Sequence, residues 1–299
     1  IFPFYYKTWR SKIMINLTPY SDSSISFLRS IINSKNRGDY KDRISNLFNS
    51  LNTYYQNYDT SFDNNTLNLI QQSLIFSDLE KKDLLKLYNY SSKPFANFKN
   101  QLLKLPNGRD MDTCQYCTLN SVNTLDHIIP KENYPEYAVH PKNLFPACSQ
   151  CNSKKSNKWL DNNNNFEFIN LYSHDLPNLQ YLFANINLIG NTFNVNFELR
   201  NENNINEDIF MLIERHYINL DLLNRFKSKS NEKIAQFENI IISNIESFDI
   251  LLSSALNSAL VAVNKSRLIF GANHWEQILY LGLINGSAFR TYCNNKGYQ

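Results

Sequence analysis

Two Cys-x2-Cys pairs, Cys114/Cys117 and Cys148/Cys151, stand thirty residues apart in this chain. Each pair presents two sulfurs from one tight turn, and two such knuckles complete the tetrahedron that Zn²⁺ favours. A redox pair would not need the second knuckle, so one structural zinc is expected, held by all four sulfurs. The first thirteen residues are aromatic-rich and carry Lys7, Arg10 and Lys12. They lack a continuous apolar core followed by a small-residue cleavage site, which argues against a secretory leader. The pairs therefore read as metal ligands in a reducing, cytoplasmic setting and not as a disulfide framework. Cys293 is left over and is expected to be a free, buried thiol.

The metal would organise only part of a chain of 299 residues, and the rest must build its own core. Hydrophobic residues make up 42% and aromatics 14%, which is ample for that. Gly and Pro number only 7 and 9, which excludes collagen-like and Pro/Gly-rich disordered classes. No window approaches the roughly 18 consecutive apolar residues of a membrane-spanning helix. A formal charge of +3 permits a nucleic-acid partner without arguing for one.

Upstream of the knuckles, apolar residues at i, i+3 and i+4 spacing predict helices over Ser24–Ser34, Lys41–Gln56, Thr66–Ile75, Ser77–Asn89 and Pro94–Leu105. Ser77-Asp78-Leu79-Glu80 has the form of a capping box. Pro106-Asn107-Gly108 then breaks the pattern. Downstream, Tyr181–Leu188 and Thr192–Leu199 flank Gly190-Asn191 as a β-hairpin would. Helical periodicity resumes over Ile205–Phe226, Lys233–Val263, Trp275–Ile284 and Ala288–Cys293. The expected organisation is a dispensable extension (1–13), a helical region (14–107), a metal-organised module (108–162) and a hairpin with a helical scaffold (163–299).

Between and after the knuckles lie Asp126-His127-Ile128-Ile129-Pro130, then Asn143, then Cys151-Asn152-Ser153-Lys154-Lys155. These elements over residues 109–160 resemble an HNH endonuclease, the ββα-metal nuclease with an accessory four-cysteine zinc. The chain then reads as mainly α with a small α+β insert: an HNH module flanked by helical segments and one hairpin. Pro130-Lys131-Glu132-Asn133-Tyr134-Pro135-Glu136, with His216-Tyr217, Leu220-Asp221-Leu222 and Trp275–Tyr280, is similar to the HNH subunit of Septu-type anti-phage systems. That resemblance implies an ABC-type ATPase partner, with docking on the helical flanks, to the ATPase or to a second copy.

The resemblance also implies roles. His127 would act as general base, its imidazole being neutral near cellular pH. Asp126 and Asn152 would hold a divalent ion, Mg²⁺ or Mn²⁺, because an amide oxygen replaces the family's final histidine. Asn143 would brace the loop and orient the His127 ring. Lys154, Lys155 and Lys158 follow Cys151 with no acid before Asp161, and they are expected to face phosphate. His140, three residues before Asn143, is the competing catalytic histidine, whereas His174, His216 and His274 read as structural. With no helix-turn-helix and no long basic stripe, DNA cleavage with little sequence preference is expected. A non-catalytic zinc module, or a nuclease acting on RNA, are the other readings.

Overall fold

A computed structural model of the chain describes residues 18–104, 110 and 112–299. The 1–13 extension and the Pro106-Asn107-Gly108 break lie outside the described residues. Those described divide into two compact units, one ending at His174 and one formed by Asp175–Gln299.

The first unit opens with helices whose ends are set locally. Ser23 Oγ accepts the Ser26 amide at 3.3 Å and starts α1 (Ser24–Asn33). The stretch expected as one helix from Lys41 to Gln56 is two, α2 (Asp39–Asn46) and α3 (Phe48–Asp63), divided at Leu47. The Ser77/Glu80 capping box forms as expected and starts α4 (Asp78–Leu87), with Ser77 N donating to Glu80 Oε2 at 2.8 Å. Pro94 sits in the first turn of α5 (Lys93–Leu102), where its missing N–H costs nothing.

The helix expected over Thr66–Ile75 is a correction. Only Leu67–Leu69 turn helically, as a 3₁₀ turn, and Leu74 and Ile75 are 85% and 69% exposed. An apolar rhythm stabilises a short helix only where a surface exists to bury it.

After α5 come β1 (Thr124–His127), β2 (Leu144–Ala147) and α6 (Ser149–Lys155). The strands pair antiparallel, Thr124 opposite Ala147 and His127 opposite Leu144. One hydrophobic core joins Phe27, Leu28, Leu51, Leu84, Phe95 and Phe98 of the helices to Leu125, Val139 and Leu144 of the hairpin segment. Its members lie on both sides of the boundary expected at 107, Leu102 before it and Leu125 after it.

The second unit is built on β3 (Leu182–Ile189) and β4 (Thr192–Leu199), an antiparallel hairpin turning at Gly190, where φ is +60°. It matches the hairpin expected from sequence. Asn206 caps α7 (Glu207–Asn219) through the Asp208 amide at 3.1 Å. The helices expected as continuous over 205–226 and 233–263 are interrupted. Asp221 and Asp249 adopt left-handed φ of 54° and 48° and bound α8 (Leu222–Phe248), after which α9 (Leu252–Phe270) begins. Short polar side chains tolerate that conformation. α10 (Trp275–Asn285) and α11 (Ser287–Asn295) close the chain. α10 approaches β3 so closely that a Cβ on Gly282 would lie 2.9 Å from the Ala184 carbonyl oxygen. No helix among the described residues is long and apolar enough to cross a membrane.

Candidate metal centre and nuclease site

The first knuckle is a tight turn. The Cys117 and Thr118 amides donate to Cys114 O at 3.3 and 2.7 Å, with Thr118 at φ 54°. The second knuckle is a helix start, since Cys148 caps α6 and Cys151 lies one turn in, its amide 3.4 Å from Cys148 Sγ. The four sulfurs, all buried, lie within 4.8 Å of one another. Cys117 Sγ and Cys148 Sγ are 3.9 Å apart. A ZnS₄ tetrahedron with bonds of about 2.3 Å has edges of about 3.8 Å, so the donor set fits zinc in both chemistry and spacing.

β1 runs out from this centre, and its alternation divides the next two side chains between opposite faces. Asn152 on α6 reaches Thr124 Oγ1 through Nδ2 at 3.4 Å, and Asp126 shares the Thr124 face. Asp126 is buried, and its Oδ2 makes no hydrogen bond; Lys155 Nζ stands 3.5 Å away. Burial pushes the Asp126 carboxyl up, opposed by Lys155. A buried carboxylate whose Oδ2 has only the long Lys155 ion pair, on the face that carries an amide side chain, suits a hard divalent ion.

His127 lies on the other face. Its Nε2 is 2.9 Å from Ala138 O, and its ring meets Tyr88 edge-on at 4.9 Å. It is 7% exposed, and burial lowers its pKa to about 3, so the imidazole is neutral at cellular pH. Strand alternation thus puts Asp126 on the side of β1 that Asn152 contacts, while the His127 ring is held by the Ala138 carbonyl.

Asn143 is fully buried and clamps the loop between the strands. Its Nδ2 donates to Ile129 O and Tyr137 O, both at 3.0 Å, and its Oδ1 accepts from Ile129 N at 2.7 Å and Tyr58 OH at 3.1 Å. The ring of His127 is held by Ala138 of that same loop, not by Asn143 itself.

The lysines divide. Lys154 and Lys158 are exposed. Lys155 is 2% exposed and donates to His127 O at 2.6 Å. Its expected contact with phosphate is therefore corrected: at the end of α6 the side chain points inward to β1. His140, the competing histidine, packs between the rings of Tyr55 and Tyr58 at 4.5 and 4.1 Å, and burial holds its pKa well below the usual value. His174 Nδ1 accepts the Asn170 amide at 2.9 Å, a structural use.

Three contributors were invisible in the sequence pattern. Tyr58 and Tyr88 come from the helical region, where Tyr88 OH donates to Leu125 O at 2.9 Å. Tyr116, inside the first knuckle, stacks on Phe145 at 4.4 Å. Only the position of Tyr116 between two cysteines offers any signal.

The segment that carries this geometry also matches a known family. Residues 114–158 match the HNH endonuclease family. Over a stretch longer than that segment, 231 residues, the chain is 22% identical to Protein ea31 of Escherichia phage lambda, covering 73% of this chain and 76% of that one. It is 34% identical over 68 residues to the Septu protein PtuB of Bacillus thuringiensis, 21% of this chain and 24% of the relative. No solved structure matches.

Proposed function

We propose that this protein is a metal-dependent endonuclease that hydrolyses DNA phosphodiesters with little sequence preference. The reading is supported above all by one coincidence: the HNH match falls on the segment where β1, β2 and α6 surround four clustered sulfurs. In this account β1–β2–α6 is the ββα-metal unit and the sulfurs hold one structural zinc. Asp126 and Asn152 hold Mg²⁺ or Mn²⁺, which when bound offsets negative charge on the phosphate and the departing oxygen.

His127, neutral, takes the proton of the attacking water. Asn143 fixes the loop whose Ala138 carbonyl holds the imidazole, so the base does not wander from its line of attack. Lys154 and Lys158, exposed next to the second knuckle, meet phosphates and add a salt-dependent, sequence-independent attraction. The likeness to PtuB supports a place in a defence system; a cytoplasmic setting and control by an ABC-type ATPase docking on the helical parts are what the resemblance to Septu HNH subunits adds to this reading.

The test is cleavage by zinc-loaded protein of plasmid, single-stranded DNA and RNA side by side, with Mg²⁺, Mn²⁺ or chelator, alone and with a co-expressed ABC-type ATPase. Divalent-dependent nicking of DNA is expected. Cutting confined to RNA would change the substrate, and DNA binding without cutting would make the domain a non-catalytic zinc module.

A further inference from the structure

Lys155 is a buried charge beside the site that the proposed chemistry leaves unused. A lysine ammonium is stable inside a protein only where fixed acceptors replace water. Here they are the His127 carbonyl oxygen at 2.6 Å and the Asp126 carboxylate at 3.5 Å, with the Phe168 ring 5.8 Å from Nζ. The void lined by Lys155, Tyr116, Ile128 and Phe168 is about 10 Å³. That is barely the space of one water, so solvent does not stand in for these acceptors.

The placement has a mechanical consequence. α6 is seven residues long, and its first turn is fixed by Cys148 and Cys151. Its last residue is Lys155, whose ammonium grips β1 at the two consecutive residues to which the nuclease reading assigns chemistry. Helix and strand are joined at one end by the sulfur cluster and at the other by this side chain.

We propose that Lys155 is a positioning residue for the nuclease reaction: it locks the His127 backbone and the Asp126 side chain to the zinc-anchored helix, and it does not touch nucleic acid. The proposal rests on the nuclease reading for its effect on rate, whereas the lock on β1 can be measured without catalysis.

The experiment uses the full chain, zinc-loaded, with Lys155→Met, which keeps the stem and removes the charge, and Lys155→Arg, which keeps charge and donors. Zinc content, hydrogen exchange of the Asp126–Ile128 amides, kcat, KM for plasmid and the salt dependence of DNA binding are read together. For Lys155→Met the expected result is unchanged zinc, faster exchange at Asp126–Ile128, and kcat down about 10–100-fold, as for lost support of a metal ligand. KM and the salt slope stay at wild-type values, and Lys155→Arg recovers part of kcat.

A raised KM with a salt slope reduced by about one and unchanged exchange would overturn the proposal in favour of a phosphate contact. Wild-type kcat with unchanged exchange would overturn it in favour of mere packing. If the Met variant loses zinc, Lys155→Arg decides: near-native exchange with substantial kcat supports the lock, and native exchange without kcat contradicts it. A wild-type protein that cuts nothing defeats the nuclease reading, and the exchange measurement then judges the lock alone.

Discussion

The two hairpins of this molecule are held by different materials. β1 and β2 are four residues each, and around them stand four buried sulfurs, a fully buried asparagine and a buried lysine. β3 and β4 are eight residues each and lean on apolar helices, with Phe197 packed against Phe226 at 5.5 Å and Phe226 stacked on Trp275 at 5.8 Å. The second unit also has a buried asparagine clamp of the same kind as Asn143: Asn273 Oδ1 accepts from Tyr181 N and Leu182 N at 2.7 and 2.9 Å. An isolated short hairpin is marginal in water. The shorter one, which carries the site, depends on bonds that fix individual atoms. The longer one depends on area.

Removing zinc should break the symmetry between the units most. Structural zinc sites of this kind carry apparent binding energies of about 10–16 kcal/mol. Chelation, or Cys148→Ser, should therefore melt the β1–β2–α6 region of the first unit while the helical signal of the second unit persists. Circular dichroism with metal analysis checks this, and joint collapse of both units would contradict the contrast.

Point substitutions sharpen it further. Phe226→Ala should cost the second unit about 3–5 kcal/mol, as for other buried aromatics. Asn143→Ala strands Ile129 N–H and Ile129 O, Tyr137 O keeping the His140 amide, and should cost the first unit about 3 kcal/mol, at about 1–3 kcal/mol per orphaned group with incomplete additivity. Denaturant melts with a probe in each unit should assign each loss to its own unit.

Acid supplies the smallest difference. In the first unit burial lowers His127 to about 3, His174 to about 4 and His140 well below its usual value; in the second it lowers His274 to about 4. With folded pKa values beneath the unfolded 6.5, the unfolded chain binds more protons between those limits. Stability is thus full above pH 6.5 and falls as pH drops towards 4. At pH 5.5 each such histidine costs about 1 kcal/mol. With three such histidines against one, the first unit should lose about three times what the second loses, seen as a larger drop in its Tm between pH 7.5 and 5.5.

Much of this was legible in the sequence where chemistry is local. The four cysteines, the Ser77/Glu80 cap and the Gly190 hairpin each declare themselves within a few residues. Tertiary context decided the rest. The apolar residues of 66–75 have helical spacing, yet Leu74 and Ile75 find no partner surface. Lys155 sits in a run of lysines that reads as a solvated basic patch, and only the fold shows that its position on α6 aims it at β1. Tyr58 and Tyr88 support the site from far upstream, a contact that no spacing rule reaches.

The most direct trial of the account is plasmid nicking by His127→Ala, measured beside wild type with zinc content and DNA binding verified. The account predicts one bound zinc, retained binding and a rate lower by about 10²–10⁴, the usual contribution of a positioned general base. An undiminished rate in that variant would contradict it.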